Sequence, residues 1–398
     1  MRGNLLPNAG AIWPENRKEP GLDSANHARG FRDPLSVDSG SALWPGDARL
    51  ESVVRAGGIQ DPAAGSLSRG GQRSSWTRSA DGGAVGPPGG DASDAGPCFD
   101  QEVVPGGYAW WYVDAISDDG QHGLTVIAFV GSVFSPYYAW AGRRDPLDHC
   151  AFNVALYGPR ASLWSMSERR RSAVARSRDT LAIGGTTASW ERGAFVLDIH
   201  ERAAPIPRRI RGRITVHPEA INPLPFVLEE RGRHWWRCLA PRARVTVEMD
   251  APALRWNGSG YLDQNAGAEP IEQAFSEWTW SRAATRDGAT IIYDAVRRRE
   301  PPLSLALVFD RNARFDERPS PPPARLPHTR WRLARTTRSD EGRASAIRSF
   351  EDTPFYSRGL VAHTVFGENV ESVHESLSLD RFANPLVRLM LPFRMPRL

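Results

Sequence analysis

Cysteine is scarce in this chain, and its spacing fits no familiar cysteine framework. Three cysteines, Cys98, Cys150 and Cys238, are spread over 398 residues. An odd number of widely separated thiols disfavours both a disulfide framework and a zinc knuckle, and the nine histidines show no metal-ligand spacing. The sequence therefore predicts a reducing, cytoplasmic environment and no metal site.

Long apolar runs are also absent. A membrane-spanning helix needs roughly 20 consecutive apolar residues, and no stretch of the sequence approaches that length. The first residues of the chain contain Asn, Pro, Glu, Asp and Arg where a secretory signal needs an apolar centre. We therefore expect a protein that neither spans a membrane nor follows the general secretory route.

Lysine is nearly missing, because Lys18 is the sole lysine and arginine supplies almost all of the positive charge. Acidic residues are interspersed throughout, and the net charge is only +4. This mixing argues against a basic stripe for nucleic acid, so no nucleic-acid partner is expected. A basic face would nevertheless gain about 1 kcal/mol per charge at an anionic membrane surface.

Glycine and proline are abundant, at 36 and 32 residues, and they disfavour long helices. Apolar residues alternate with polar ones in the segments 195–200, 210–217 and 244–249, which is the period of a half-buried strand. Asp287-Gly288 separates two further apolar-patterned runs, as in a β-hairpin. These patterns predict an all-β protein built from antiparallel sandwiches or barrels.

The changes in composition and pattern along the chain predict its organisation. Residues 1–97 are rich in Gly, Ser, Ala, Asp and Arg without periodicity, which predicts a disordered segment, a tether or an over-extended start of translation. Two β domains are expected at 98–226 and 227–345, joined at the Pro-rich stretch 222–225. An extension, 346–398, completes the chain.

The end of the chain combines apolar residues with arginine. The apolar residues are Leu386, Val387, Leu389, Met390, Leu391, Phe393 and Met395, and the arginines are Arg388, Arg394 and Arg397. A segment of this kind is able to lie in a membrane interface, which predicts peripheral membrane association. Packing of a final element on a barrel is an equal alternative, since Pro392 and Pro396 interrupt any helix.

The densest group of chemically capable residues surrounds Asp263. If Tyr261 and Asp263 lie on one strand, their separation of two places both side chains on one face, and Trp278 and Trp280 likewise share a face. Trp236 and His234 precede this motif. A structural alternative exists, because Trp clusters mostly fill cores and a Gly-flanked Asp-x-Asn is commonly a turn.

The segment Gly258–Gly267 around Asp263, together with four other segments, resembles the carotenoid 1,2-hydratases, also called hydroxyneurosporene synthases. The resemblance runs from about Phe99 to the end of the chain and does not include residues 1–97. The segments that carry it are Phe99–Glu102, Gly106–Asp114, Val133–Tyr138, Gly258–Gly267 and Trp278–Trp280. It implies two tandem lipocalin-like antiparallel β-barrels and an enzyme, a hydro-lyase without cofactor, that hydrates the terminal double bond of acyclic carotenoids such as neurosporene or lycopene.

The resemblance also implies site residues. Asp263 matches the aspartate of the family motif and is the expected acid, which must be neutral to donate a proton to the alkene. Tyr261, Trp236 and, less directly, His234 are expected to act with it. Trp278 and Trp280 are expected to bind the substrate, while Trp110, Trp111 and Trp235 are expected to pack in a core.

Two other functions fit parts of the sequence. A lipocalin-like barrel can also carry a carotenoid or another lipid without reacting with it. Tryptophan platforms with Asp and Glu also occur in glycoside hydrolases, where Glu277 would be the second carboxylate. A carrier has no reason to desolvate a carboxylate, so hydration is preferred to transport.

Overall fold

The computed structural model describes residues 96–159 and 162–398. Within those ranges the first sheet contains twelve strands. They are β1 (Tyr108–Ser117), β2 (Gly123–Val130), β3 (Cys150–Tyr157), β4 (Leu163–Arg169), β5 (Val174–Arg176), β6 (Thr180–Ile183), β7 (Thr186–Glu191), β8 (Ala194–Arg202), β9 (Arg209–Pro218), β10 (Phe226–Val227), β11 (His234–Ala251) and β12 (Ala253–Gly267). Their spatial order is β4-β3-β2-β1-β12-β11-β9-β8-β7-β6-β5, with β10 paired to β11.

The second half of the chain supplies a seven-stranded sheet and a separate hairpin. The strands are β13 (Phe275–Ala284), β14 (Gly288–Arg297), β15 (Leu303–Asp310), β16 (Phe315–Glu317), β17 (Pro323–Leu326), β18 (Arg335–Arg338), β19 (Ala344–Asp352), β20 (Tyr356–Val365) and β21 (Glu368–Ser378). The sheet has the order β16-β15-β14-β13-β21-β20-β19, and β17 pairs with β18.

Helices are few and short, as the glycine and proline content predicts. The α-helices are α1 (Pro136–Trp140), α2 (Ile271–Ala274), α3 (Leu379–Ala383) and α4 (Pro385–Met390), and the 3-10 helices are Pro146–Asp148, Arg171–Ala173 and Leu391–Phe393. Among the described residues, no helix is long and apolar enough to cross a membrane.

The first sheet curls into a nearly closed barrel. Its edge strand β4 approaches the end of β8. The amide N–H of Ala204, just after β8, donates a hydrogen bond of 2.9 Å to the carbonyl oxygen of Trp164 on β4. The interior is filled by one face of each strand, including Trp111, Phe152 and Val245. All strand pairs in the sheets are antiparallel, so the all-β, barrel-like prediction is confirmed.

The second sheet packs against the outside of this barrel. A second core lies between them and takes its side chains from both sheets, for example Trp110 and Tyr261 from the first and Trp280 and Leu377 from the second. Because side chains alternate along a strand, β1 sends odd-numbered residues into the barrel and even-numbered residues into this second core.

The strand patterns read from the sequence are confirmed by the structure. Segment 210–217 lies in β9 and segment 244–249 in β11, each with apolar residues buried and most polar ones exposed. Asp287 and Gly288 stand at the hairpin between β13 and β14. At Gly288 an added Cβ would lie 1.8 Å from the carbonyl oxygen of Phe309, so the close approach of β15 requires glycine there.

The predicted domain limits do not coincide with the sheets. Strands β11 and β12 follow the expected joint at 226/227, yet they pair with β9 and β1 of the first sheet. The chain changes sheet between Gly267 and Phe275. The expected extension 346–398 contains most of β19 and all of β20 and β21, and β21 pairs with β13 in the middle of the second sheet.

The segment predicted to be disordered, 1–97, lies outside the described residues except for its end. Gly96 accepts a hydrogen bond of 2.8 Å from the Arg237 guanidinium through its carbonyl oxygen. The carbonyl oxygen of Pro97 accepts one of 2.7 Å from the indole N–H of Trp111. These last two residues are therefore bound to the barrel.

Candidate active site

Asp263 lies on β12, between β1 and β11, on the barrel face that meets the second sheet. Tyr112 of β1 is its register partner, and Trp236 of β11 is opposite the next residue on the same face, Asn265. Tyr261 shares this face with Asp263, as their separation of two dictates. Asp263 is 5% exposed, and Tyr261 and Trp236 are completely buried.

The glycines of the motif allow β12 to lie tightly between its neighbours. At Gly258 an added Cβ would lie 2.1 Å from the carbonyl oxygen of Ile116 on β1. At Gly260 it would lie 2.4 Å from a methyl carbon of Val245 on β11. A side chain at either position would push the strands apart, and with them the groups around Asp263.

The two carboxyl oxygens of Asp263 differ in their hydrogen bonds. Its Oδ2 accepts hydrogen bonds of 3.0 Å from the indole N–H of Trp236 and from the hydroxyl of Tyr261. Its Oδ1 has only a long contact of 3.5 Å with the amide nitrogen of Asn265. Since Oδ2 is engaged as a double acceptor, Oδ1 is the oxygen available to carry a proton.

Burial raises the pKa of Asp263 well above its ordinary value. The hydrogen bonds from Trp236 and Tyr261 oppose the rise, because they favour the ionised form, whereas the nearby charges of Glu375 and Asp114 add to it. Burial and the neighbouring negative charges thus both favour the protonated form of this carboxyl group.

Aromatic rings surround this acid from both sheets. Trp280 lies 5.0 Å from Tyr261, centroid to centroid, and Tyr293 lies 5.2 Å from Trp236. Trp278 is one ring further away, 6.2 Å from Tyr293. A neutral acid among π faces is suited to protonate an apolar double bond and to tolerate the carbocation that results.

Comparison with known proteins identifies the family of this chain. Residues 126–398 match the family model described as "Carotenoid hydratase CrtC". An acyclic carotenoid 1,2-hydratase of Thiocapsa roseopersicina is 49% identical over an alignment that covers 100% of this chain and 99% of the relative. This chain belongs to the carotenoid hydratase family.

Other members of the carotenoid hydratase family differ in length. The acyclic carotenoid 1,2-hydratase of Rubrivivax gelatinosus is 48% identical and covers 97% of both chains. That of Cereibacter sphaeroides is 40% identical and covers 98% of its own length but 68% of this chain. The expectation that residues 1–97 have no counterpart in the family was wrong, since the longer relatives align along nearly the whole chain.

Solved structures with a similar arrangement have low sequence identity. A putative AttH from Nitrosomonas europaea has a TM-score of 0.46, with 13% identity over 68% of this chain and 92% of the other. Kievitone hydratase from Nectria haematococca has a TM-score of 0.44, with 13% identity over 72% and 94% of the two chains.

His234 is not a neighbour of the acid in this hydratase-family chain. Its Nδ1 lies 2.9 Å from the hydroxyl of Tyr108, and its Nε2 lies 3.6 Å from a carboxylate oxygen of Glu269. It shares a face with Trp236 on β11 but sits opposite Gly267, four residues along β12 from Asp263. His234 therefore forms no hydrogen bond with Asp263, and its expected action with the acid is not a direct contact.

A second buried set of polar residues lies beside Asp263, and sequence reasoning missed it. Asp114 binds Arg282, with Oδ1 and Nε 2.7 Å apart, and Glu375 binds Arg358, with Oε1 and Nε 3.1 Å apart. Tyr112 joins the two pairs through its hydroxyl, 3.0 Å from Asp114 and 2.8 Å from Glu375. We call these five residues the cross-sheet cluster.

The cross-sheet cluster left only a faint signal in the sequence. Tyr112 and Asp114 belong to a segment that carries the family resemblance, and their separation of two places them on one face. Their partners come from β13, β20 and β21, whose pairing with one another is not visible in the sequence.

The remaining aromatic and acidic predictions separate by face. Trp111 and Trp235 pack inside the barrel, whereas Trp110 lies on the site face, 6.0 Å from Trp278. Glu277 is exposed and lies on the opposite face of β13 from Trp278 and Trp280, so it does not form a carboxylate pair with Asp263. Among the described residues, no group of three or more His, Cys, Asp or Glu side chains is arranged to hold a metal ion.

Proposed function

We propose that this protein hydrates the terminal C1–C2 double bond of an acyclic carotenoid such as neurosporene or lycopene, without a cofactor. The observation that carries the proposal is a buried aspartic acid whose hydrogen-bond donors, Trp236 and Tyr261, are both uncharged. Membership of the carotenoid hydratase family supports the substrate class.

The reaction has two steps with Asp263 as the acid. The proton on Oδ1 passes to the less substituted carbon of the alkene, which leaves a tertiary carbocation. The oxygen of a water molecule then bonds to this carbon, and the surplus proton returns to Asp263. The sum is alkene plus water giving a tertiary alcohol, with no change in oxidation state of the enzyme.

The aromatic residues have distinct roles in this proposal. Trp236 and Tyr261 orient the carboxyl group by holding Oδ2, and their ring faces contribute about 0.5–2 kcal/mol each to the stability of the cation. Trp280 closes the site from the second sheet, and Trp278 contacts the polyene further from the acid. His234 acts at most indirectly, by holding Tyr108 and the end of β11.

Peripheral contact with a membrane is part of the proposal, since a polyene of this kind dissolves in lipid. The side chains that support it are large apolar residues left exposed near the end of the chain. Leu386 is 72% exposed, Leu389 62% and Phe393 78%. A cytoplasmic location stays a prediction.

The decisive experiment incubates purified protein with lycopene or neurosporene in detergent and measures product masses. We expect a gain of one water per hydrated end. Asp263→Asn keeps the shape and the acceptor oxygen but removes the transferable proton, so the rate should fall by about 10²–10⁴ while the fold survives. Near-normal turnover of this variant would refute the assignment.

The same assay separates hydration from transport. A lipid carrier would copurify with pigment and give no mass gain, and Asp263→Asn would then bind pigment as the unsubstituted protein does.

A further inference from the structure

The C-terminal segment 385–398 has apolar side chains on both its buried face and its exposed face. Val387, Leu391 and Met395 face the second core, as an amphipathic helix requires. The opposite face is also apolar, because Leu386, Leu389, Met390, Phe393 and Leu398 are all at least 47% exposed. Soluble proteins rarely leave such side chains grouped together, and a grouped patch marks an interaction surface.

Two of the three arginines of this segment point into the protein. The guanidinium of Arg388 lies 2.8 Å from Glu272 and has a side-chain exposure of 20%. Arg397 is 15% exposed and binds Asp148 and Glu168. Arg394 stays exposed, with its guanidinium 4.6 Å from the ring centre of Trp164. Carboxylates of the protein thus neutralise most of the charge that was expected to face a membrane.

The inner side of the same segment meets a series of aromatic rings that ends at Asp263. Phe382 of α3 lies below the Arg388 guanidinium, 5.2 Å away. From Phe382 the rings continue through Phe134, Phe129, Trp110 and Trp278 to Tyr293 and Trp236, with successive centroids 5.2–6.2 Å apart. Each ring belongs to the core between the two sheets or packs against it.

We propose that segment 385–398 docks on the apolar part of a lipid bilayer with little dependence on lipid charge, and that a polyene passes Phe382 and follows these rings to Asp263. The docking step deepens the membrane contact of the proposed function, and the observations behind it are the exposed apolar face and the inward arginines. The path of the polyene rests on the proposed function.

Docking is tested by flotation of the full chain with vesicles of phosphatidylcholine, alone or with added phosphatidylglycerol. We expect binding to both kinds of vesicle with affinities within about threefold. The double variant Leu386→Glu with Phe393→Glu should weaken binding at least about tenfold. The matched control is Leu224→Glu, because Leu224 is 53% exposed and lies two residues before Phe226, which packs on Phe315 of the edge strand β16; it should bind as the unsubstituted protein does.

Three results would overturn the docking proposal. Binding that requires phosphatidylglycerol would mean attraction by charge, and equal loss in the Leu224→Glu control would mean a general effect. A dimer that the double variant converts to a monomer, measured by light scattering, would assign the patch to a second copy of the chain.

The path is tested by photo-crosslinking with a polyene in the inactive Asp263→Asn background. A benzoylphenylalanine at position 134 should form an adduct with the polyene. The matched control is position 366, since Phe366 is also partly buried but packs in a different cluster. Equal adducts at both positions, or none at 134, would refute the path.

These outcomes are separable from failure of the proposed function. Asp263→Asn should float with vesicles unchanged although its turnover is lost. The double variant should raise KM for polyene in vesicles and leave kcat near its original value, whereas a lower kcat with unchanged KM would contradict a role in docking.

Discussion

Two buried aspartates on one face of the barrel have opposite surroundings. Asp114 on β1 is 2% exposed and Asp263 on β12 is 5% exposed, and both face the second sheet. Asp114 is held by the guanidinium of Arg282, whereas Asp263 accepts hydrogen bonds only from uncharged groups. The same side chain at similar burial thus forms an ion pair in one place, and in the other it has only uncharged hydrogen-bond donors and a raised pKa.

This comparison shows what burial alone achieves. Desolvation penalises a carboxylate, and an adjacent arginine offsets that penalty. Asp263 lacks such a neighbour, and the charges of Asp114 and Glu375 instead disfavour its ionisation. The cross-sheet cluster therefore joins the two sheets, and the charges of its two carboxylates raise the pKa of Asp263.

The sharpest test of this contrast is Asp114→Asn, which should destabilise the protein by about 3–5 kcal/mol, because Arg282 would stay buried without a counter-charge. Urea unfolding measures the change. The control is Asp198→Asn, whose partner Arg213 is exposed, with side-chain exposures of 57% and 50% for Arg213 and Asp198, so a loss of at most about 1 kcal/mol is expected. A similar small loss at Asp114 would remove the distinction.

Asp263→Asn, unlike Asp114→Asn, should increase the free energy of unfolding, and this gain should depend on pH. The folded protein holds the proton of Asp263 above the ordinary pKa of 3.8, whereas the unfolded chain releases it. Stability therefore falls as pH rises from that value toward the raised folded pKa, by up to about 1.4 kcal/mol per pH unit. Asparagine does not ionise, so the variant should become progressively more stable relative to the unsubstituted protein as the pH rises above 3.8. Parallel stability curves would show that Asp263 is ionised in the fold.

Removing the negative charge of Glu375 should lower the pKa of Asp263. Glu375→Gln removes a negative charge and leaves that of Arg358, so the pKa of Asp263 should fall by up to about one unit. Since the protonated acid is the active form, the high-pH limit of kcat should move to lower pH. Glu248→Gln, at a surface pair with Arg255, should leave the profile in place, and a shift there of equal size would exclude a local effect.

The smallest effect is expected at Trp236. Trp236→Phe removes a hydrogen bond that favours the ionised form, so the pKa of Asp263 should rise and the high-pH limit of kcat should move to higher pH. The ring face remains in this variant, whereas Trp236→Ala removes it and should lose about 0.5–2 kcal/mol more of transition-state stabilisation. Equal rates for the two variants would contradict a role for the ring face.

Much of the site followed from local pattern and family resemblance. The separation of two between Tyr261 and Asp263 placed them on one face, and the structure has both there. His234 and Trp236 have the same spacing, yet His234 lies opposite Gly267, four residues along β12 from Asp263, and so contacts Tyr108 and Glu269. Spacing identifies a face, but it does not identify the partner that the face meets.

The sequence by itself determined the strand-rich class and the alternation of faces, because each depends on residues a few positions apart, and the family resemblance pointed to Asp263 as the expected acid. The state of each buried carboxyl was decided only by the tertiary structure. Arg282 reaches Asp114 from 168 residues away, and Glu375 reaches Tyr112 from 263 residues away. Coulombic and desolvation energies depend on distance in space, so the pairing of two sheets settled which aspartate has a guanidinium partner and which has only uncharged donors.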